Sequence, residues 1–277
     1  MHRRSLLTLA TASLLAGPAL AAEPPPSGEH PIVIGQSYAV PSAILGETRR
    51  LNVWLPPSYG QGEQRYPVIY LLDGGEEEDF HHITGLARIS GEYGVTREFI
   101  VVGIESGATR RYDMTFPSAQ PDDLKAIPRN GGAARFRRFV VEEARGWVEG
   151  RYRTSGERVI MGESLAGLFV VETLLKQPDA FDGYIAIDPS LWWDKGSLAH
   201  DQSFPALKLH ASQRRLFMAV SSQGSLEEGG LLAESLRNAI DLTYVVMPAE
   251  THASIYHPAA TQAFRVMFAP PPAPPAH

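Results

Sequence analysis

The 277-residue chain contains no cysteine. Disulfides are therefore excluded as a source of stability, and so are a thiolate nucleophile and a cysteine-ligated metal. Positive charge is also scarce, since 25 Lys+Arg face 31 Asp+Glu and the formal net charge is −6. This balance argues against nucleic acid and anionic membrane surfaces as partners. A chain of this kind has to fold by burying an apolar core.

Long apolar runs are missing as well, because the run from Leu6 to Ala16 is too short to cross a bilayer. It follows the basic segment His2–Arg4 and precedes the small residues Ala19 and Ala21. This order predicts a cleavable signal peptide over residues 1–21. A twin-arginine signal and an ordinary secretion signal both fit, with the ordinary one slightly favoured. Either route predicts a periplasmic or secreted protein without a membrane span in its mature form.

The composition changes at both ends of the remaining chain. Residues 22–35 contain several prolines and predict an extended linker, and residues 270–277 predict a similar Pro-rich tail. Between them, residues 36–269 are long enough to bury one sizeable core. Strand-like and helix-like runs alternate there, which predicts an α/β domain with a mostly parallel sheet and helices on both faces. No feature of the sequence indicates an oligomeric state.

Short apolar runs mark the expected strands of this domain. An opening pair, at residues 36–40 and 50–55, precedes the runs that we expect to be buried on both faces. In a parallel sheet, ligands bind beyond the carboxyl ends of the strands, so the loops after these runs are where chemistry is expected. The buried runs are residues 66–72, 99–104, 159–161, 184–187, 216–221 and 243–247.

The segment Val159–Val171 contains the most informative motif, Gly162-Glu163-Ser164-Leu165-Ala166-Gly167. A strand that passes directly into a helix needs a tight turn with small flanking residues, and such a turn presents its apex side chain clear of the backbone. This geometry suits Ser164 as a nucleophile. The usual pattern is Gly-x-Ser-x-Gly, from which Ala166 departs. The alternative is a plain Gly/Ser turn in which the serine caps the helix.

A serine nucleophile needs a base and a group that orients the base. His252 lies in a short loop after the last strand, where a base is expected, although a surface loop histidine is the alternative. The acid is expected between the serine and the histidine in sequence, and Glu227 is the first choice. Glu228, Asp188 and Asp194 remain open. Each glutamate also fits a solvated first helical turn.

The oxyanion of the reaction needs backbone donors. We expect one from the N–H of Leu165 and a second from Gly74 or Gly75, although a plain glycine turn explains these two equally well. The acidic run Glu76–Asp79, followed by two histidines, is interpreted as the start of a helix, and no metal is expected.

Two pairs of side chains are candidates for substrate binding. Arg110 and Arg111 suit an anionic or catecholate group, with a solvated basic loop as the alternative. Trp192 and Trp193 suit an aromatic wall, with buried packing as the alternative.

Taken together, several segments resemble the "putative esterase" family of α/β-hydrolases. The resemblance implies an α/β-hydrolase fold, no cofactor and a Ser164–His252 pair. The family includes periplasmic and cytosolic esterases of enterobactin-type trilactone siderophores, some of which depart from a regular triad, and esterases of other acyl esters. The segments that carry the resemblance are residues 42–49, 55–59, 66–74, 162–169 and 189–194.

The resulting hypothesis is an exported serine carboxylester hydrolase that works through an acyl-enzyme on a small-molecule ester, with a siderophore trilactone as the first substrate choice. Other short-acyl or sugar esters come next. Transfer of the acyl group to an alcohol uses the same residues, and a catalytically silent binding protein on the same scaffold is the alternative from another class.

Overall fold

The computed structural model describes residues 28, 30–201, 203, 205–210 and 214–271. The predicted signal peptide, half of the predicted linker and most of the predicted Pro-rich tail lie outside these residues. The chain forms two units, residues 1–33 and 34–277. In the first unit, residues 28 and 30–33 are described and contain no helix or strand. The fold described below is that of the second unit.

Eight strands form one sheet within the described part of the chain, in the order β1-β2-β4-β3-β5-β6-β7-β8. β1 pairs antiparallel with β2, and β2 pairs antiparallel with β4, whereas the pairs from β4 onward are parallel. The predicted mostly parallel sheet is therefore confirmed. The strands are β1 (Gln36–Ser42), β2 (Glu47–Trp54), β3 (Tyr66–Leu72), β4 (Ile100–Ile104), β5 (Thr154–Glu163), β6 (Gly183–Ile187), β7 (Arg215–Ser221) and β8 (Asp241–Met247).

Helices cover both faces of the sheet, as expected for an α/β-hydrolase. A π-helical turn at Phe139–Ala144 joins the helices Ala133–Arg138 and Arg145–Glu149. The α-helices are α1 (Phe80–Glu92), α2 (Arg110–Asp113), α3 (Pro121–Ala126), α4 (Ala133–Arg138), α5 (Arg145–Glu149), α6 (Leu165–Lys176), α7 (Trp193–His200), α8 (Pro205–His210), α9 (Leu226–Leu236) and α10 (Tyr256–Met267).

The continuous apolar run of β3 has a direct structural cause. All seven of its residues are buried, because successive side chains of a strand point to opposite faces and both faces are covered here. Tyr70 packs in a core with Phe136 and Phe169, whereas its neighbour Ile69 packs with Phe80 and Phe264 in a second core on the other face. Two cores therefore fix the central strands from both sides.

The carboxyl ends of β5, β6, β7 and β8 lie side by side at one edge of the sheet. This order brings together loops that are far apart in sequence. None of the helices in the described ranges has the length and hydrophobicity that a bilayer span requires.

Candidate active site

Ser164 stands at the turn between β5 and α6. Its backbone has φ 61° and ψ −121°, a strained conformation for a residue with a side chain. The turn is tight because a Cβ on Gly162 would lie 2.6 Å from the Cβ of Ala166. A Cβ on Gly167 would lie 3.0 Å from the carbonyl oxygen of Ile187 in the neighbouring strand. The alanine in the fifth motif position therefore fits, since the glycine that faces it has no side chain.

The hydroxyl of Ser164 faces a cavity of about 690 Å³, which His252 also lines. Within the described residues, the hydrogen-bond contact of this hydroxyl is the Oγ of Ser190, at 3.4 Å. Ser190 also donates its backbone N–H to the carbonyl of Ser164, at 3.0 Å. No hydrogen bond joins the Ser164 hydroxyl to the imidazole here, and such bonds often tighten only when substrate is bound.

The His252 imidazole has a carboxylate partner in Asp188. Its Nδ1 lies 2.6 Å from Asp188 Oδ2. The Asp188 side chain is fully buried, whereas the imidazole is 47% exposed. Ser221, at the end of β7, donates both its backbone N–H and its hydroxyl to this carboxylate, each at 2.8 Å. Ser221 therefore holds both carboxylate oxygens, and Oδ2 is also the oxygen that contacts the imidazole.

Close packing also fixes the position of Asp188. The residue follows β6 directly and has φ 43°, in the left-handed region. A Cβ on Gly224 would come within 2.0 Å of its Oδ1. Gly224 is thus required by the close approach of the loop after β7 to the carboxylate.

The structure contradicts the prediction that Glu227 orients His252. Glu227 lies in the first turn of α9 with an exposed side chain, and it forms no hydrogen bond or ion pair with any described residue. This placement is the solvated first turn that the sequence allowed as the alternative. Glu228 lines the cavity but makes no hydrogen bond to the imidazole. Of the four acids considered, Asp188 is the one that reaches His252, because it leaves the neighbouring strand β6 at the same sheet edge.

Asp194 belongs to another network. Its backbone N–H donates to Asp123 Oδ2 at 2.9 Å, and its Oδ1 accepts from Ser118 Oγ and Gln120 Nε2, both at 3.3 Å. These contacts tie the start of α7 to α3 and leave Asp194 away from the imidazole.

Leu165 is placed as a donor for an oxyanion. It is the first residue of α6 and lines the cavity, and its N–H has no acceptor within the helix. The expectation for Gly74 and Gly75 was wrong. The Gly74 N–H donates to the carbonyl of Ile104 at 3.0 Å, the Gly75 N–H donates to Glu78 Oε2 at 2.7 Å, and neither glycine lines the cavity.

A steric requirement explains these two glycines. A Cβ on Gly74 would lie 2.2 Å from the Cα of Gly103, so this glycine serves the close approach of the turn after β3 to β4. Glu78 completes the packing, because its carboxylate accepts N–H groups from Gly75, Ser106 and Gly107. The acidic run before α1 therefore ties loops together. In the described ranges, no three His, Cys, Asp or Glu side chains are grouped so that they could hold a metal.

The four candidate substrate contacts fall into two classes. Arg110, Arg111 and Trp192 line the cavity. Trp193 does not line it, because its side chain is buried and donates Nε1–H to the carbonyl of Phe116 at 2.9 Å. The prediction for Trp193 as part of an aromatic wall was therefore wrong, and the alternative of buried packing is correct.

Arg110 forms an ion pair with Asp73. Its Nε and a terminal nitrogen donate to the two oxygens of Asp73, at 2.7 and 2.6 Å. Burial opposes the charge of Arg110, but the hydrogen bond and the charge of Asp73 outweigh burial and raise its pKa. Arg111 is exposed and donates to the carbonyl of Ala126 at 3.2 Å. Of the two cations, Arg111 is the one free of a carboxylate partner among the described residues.

Sequence reasoning missed Ser221, Ser190 and Asp73 as parts of this site. Ser221 ends a predicted strand and Ser190 follows the proline after another, so their positions at the sheet edge were available as signals. Asp73 likewise follows the run of β3 directly. Apart from these positions, no local feature of the sequence distinguishes the three residues.

The sequence profile of one family, described as "Putative esterase", matches residues 42–263. The chain belongs to this family. Two curated relatives are the ferri-bacillibactin esterase BesA of Bacillus subtilis, 38% identical over 165 residues, and the siderophore enterobactin esterase of Emericella nidulans, 36% identical over 98 residues. The first match covers 54% of this chain and 56% of the relative, and the second covers 32% of each. The chain thus spans about half or less of the length of these two curated relatives.

A solved structure is similar over a larger part of the chain. The IroE-like serine hydrolase from Shewanella oneidensis superimposes with a TM-score of 0.71 and 30% sequence identity, covering 84% of this chain and 80% of that one. The α/β-hydrolase fold of this esterase-family chain is confirmed by this match together with the observed sheet order.

Proposed function

We propose that this chain is a serine carboxylester hydrolase. The observation that carries the proposal is a serine at a strained strand-to-helix turn that shares a cavity with an imidazole held by a buried carboxylate. Membership of an esterase family supports the reaction class, as do relatives named as siderophore esterases.

The reaction proceeds in two halves. The Ser164 oxygen attacks the ester carbonyl while His252 Nε2 takes the hydroxyl proton, and the carbonyl electron pair moves onto the oxygen. When the intermediate collapses, the ester C–O bond breaks and the imidazolium returns its proton to the leaving alcohol. Water then attacks the acyl-enzyme with the same histidine as base, which releases the acid and restores the serine.

Asp188 replaces Glu227 as the acid in this proposal. Because His252 Nδ1 donates to it, the opposite nitrogen Nε2 is left without a proton and is the atom that accepts the serine proton during the reaction. A negative carboxylate also stabilises the imidazolium that forms during attack. The N–H of Leu165, at the start of α6, stabilises the negative charge on the carbonyl oxygen.

A siderophore trilactone is the substrate we propose first. The names of the relatives support it, and so does a cavity of about 690 Å³ that has Arg111 and the half-exposed Trp192 on its walls. A cation and an indole face suit catecholate groups. Other short-acyl or sugar esters remain the second choice, and a panel of iron-loaded trilactone against simple acyl esters separates the two.

We also propose that the protein is exported to the periplasm or secreted. The support is the order of basic, apolar and small residues within residues 1–21. N-terminal sequencing of the protein recovered outside the cytoplasm tests this proposal, and a protein that keeps residues 1–21 and stays inside the cell contradicts it.

The nucleophile is tested with Ser164→Ala against Ser235→Ala, a half-buried serine of α9 that does not line the cavity. We expect S164A to lower the turnover of a p-nitrophenyl ester by about 10³-fold or more and to abolish fluorophosphonate labelling. S235A should retain both properties. Normal turnover by S164A contradicts the role of Ser164, and a wild-type protein that neither turns over esters nor takes up the probe is a silent binding scaffold.

A further inference from the structure

Glu163 is the residue immediately before the proposed nucleophile, and the mechanism above does not use it. It ends β5, where it pairs with Ile187 of β6. One carboxyl oxygen, Oε1, is buried and has no hydrogen-bond partner among the described residues. An ionised carboxylate in such a place would lack the donors that normally compensate for the loss of water.

The charges around Glu163 also oppose ionisation. Groups from five other elements interact with it or with each other, and three of them are carboxylates. The single guanidinium among them is already hydrogen-bonded to a carboxylate through two nitrogens. The groups are Asp73 after β3, Asp79 before α1, Arg110 in α2, Asp188 after β6 and Tyr256 in α10.

Tyr256 is the second unpartnered member of this cluster. Its hydroxyl is buried without a hydrogen bond to any described residue, and it interacts electrostatically with Glu163. The ring of His82 packs edge-on against the ring of Tyr256, with the two centroids 5.3 Å apart. The Nδ1 of the same histidine lies 3.8 Å from Asp79 Oδ1. No described group in the cluster donates a hydrogen bond to Glu163.

Burial, and then the negative charges of Asp79 and Asp188, raise the pKa of Glu163 to about 8, although Arg110 opposes the shift. The carboxyl group therefore carries a proton at neutral pH and loses it to solvent under mildly alkaline conditions.

We propose that Glu163 acts as a neutral positioning residue directly before the nucleophile in the chain, and that its ionisation converts the enzyme into a slower form. This inference rests on the esterase function proposed above. Glu163 touches neither the substrate nor the reacting atoms, and it acts through the turn that carries Ser164 and the Leu165 N–H.

Two physical effects make the ionised form slower. Attack by the serine places negative charge beside the Leu165 N–H, two residues along the chain, and a second negative charge nearby opposes it. Ionisation also adds a fourth carboxylate charge to a cluster that contains three, and the repulsion acts on the strained turn. A neutral acid at position 163 avoids both effects.

The experiment compares wild type with Glu163→Gln, which is permanently neutral and nearly the same shape. We expect wild-type kcat/KM to fall above about pH 8, by about tenfold at about pH 10. E163Q should lack this fall, with kcat/KM near neutral pH close to that of wild type. A variant that shows the same alkaline fall as wild type overturns the inference, and so does a folded E163Q that is inactive at every pH.

Glu227→Gln provides the matched control. It removes the same charge from an exposed carboxyl group in the first turn of α9, for which no contact with the cluster is found among the described residues. E227Q should show the wild-type alkaline fall, and loss of the fall in this variant overturns the assignment to Glu163. Tyr256→Phe should also keep the fall, since burial raises the pKa of Tyr256 far above this range.

A second variant covers the case in which E163Q does not fold. Glu163→Asp keeps a carboxyl group but moves it relative to the neighbouring carboxylates, so the midpoint of the alkaline fall should shift. An unchanged midpoint overturns the inference. The proposed esterase function fails separately, since it fails only if the wild type shows neither turnover nor fluorophosphonate labelling at any pH.

Discussion

Two carboxyl groups flank the serine turn, and their surroundings differ sharply. Asp188 lies on the β7 side, where a hydroxyl, a backbone N–H and an imidazole all point at its oxygens. Glu163 lies on the β5 side, where one oxygen is buried with no donor among the described residues. The comparison teaches that burial alone does not decide what an acid does. The donors that accompany burial decide whether the group is suited to hold a charge or a proton.

The largest effect is expected from removing the charge of Asp188, the carboxylate that accepts several hydrogen bonds. Asp188→Asn should lower kcat by about 10³–10⁴-fold, because an amide cannot hold the imidazole in the required tautomer or stabilise its charged form. The measurement is ester turnover, with urea unfolding to show that the variant is still folded. Wild-type turnover by D188N, combined with loss of turnover by E227Q, would return the role of the acid to Glu227.

A steric change at the same carboxylate should have a smaller effect. Gly224→Ala places a methyl group where Asp188 Oδ1 now lies, so the acid and the imidazole must shift. We expect kcat/KM to fall by about 10–100-fold, since misplacement by about 1 Å costs this much in an organised site. Gly230→Ala is the control, because a Cβ there meets no described atom within 4 Å. Equal activities of the two variants would contradict the close packing at Asp188.

On the β5 side, where the carboxyl group lacks donors, removing the charge of Glu163 should stabilise the protein. The pKa of Glu163 is raised in the folded state from 4.5 to about 8, so the folded state binds the proton more tightly than the unfolded state. Wild-type stability should therefore fall as the pH rises from about 4.5 to about 8. E163Q lacks this loss and should be more stable than wild type by about 1–2 kcal/mol at about pH 8, after allowance for partial exposure of the side chain.

Urea unfolding at several pH values measures this difference. The advantage of E163Q should disappear below about pH 4.5, where the wild-type carboxyl is protonated in both states. An advantage that is the same at all pH values would point to better packing of the amide and would contradict a proton-dependent cause.

The smallest effect is expected at the unpartnered tyrosine. Tyr256→Phe removes a buried hydroxyl that makes no hydrogen bond within the described residues, so no partner is left behind. The change in the free energy of unfolding should lie within about 1 kcal/mol and should tend towards stabilisation. Thermal unfolding measures it, and a loss of several kcal/mol would reveal a partner for this hydroxyl.

Much of the fold followed from local patterns. The strand boundaries predicted from apolar runs agree with the observed strands to within a few residues for β3, β4, β6 and β7. Such runs are informative because a strand covered on both faces cannot tolerate polar side chains on either face. The π-helical turn at Phe139–Ala144 was not predicted, since nothing in its composition differs from an ordinary apolar helix face.

The site was only partly accessible to the same reasoning. Small residues around Ser164 mark a tight turn locally, and the position of His252 after the last strand follows from strand order. The roles of the glycines after β3 were predicted wrongly. The sequence does not tell whether a glycine leaves its N–H available as a donor or allows a neighbouring backbone to approach closely. Here the absence of a side chain on Gly74 allows Gly103 to approach, and the Gly74 N–H donates to the carbonyl of Ile104.

The sequence by itself determined the order of buried strands, the serine at the turn and the histidine after the last strand, because apolar runs and small residues act over a few positions. Only the tertiary structure decided which acid serves His252. Asp188, Ser221 and His252 leave three neighbouring strands that are distant in sequence, and hydrogen bonds between them exist only once β6, β7 and β8 lie side by side. The same adjacency leaves Glu163 among like charges, which no local pattern could indicate.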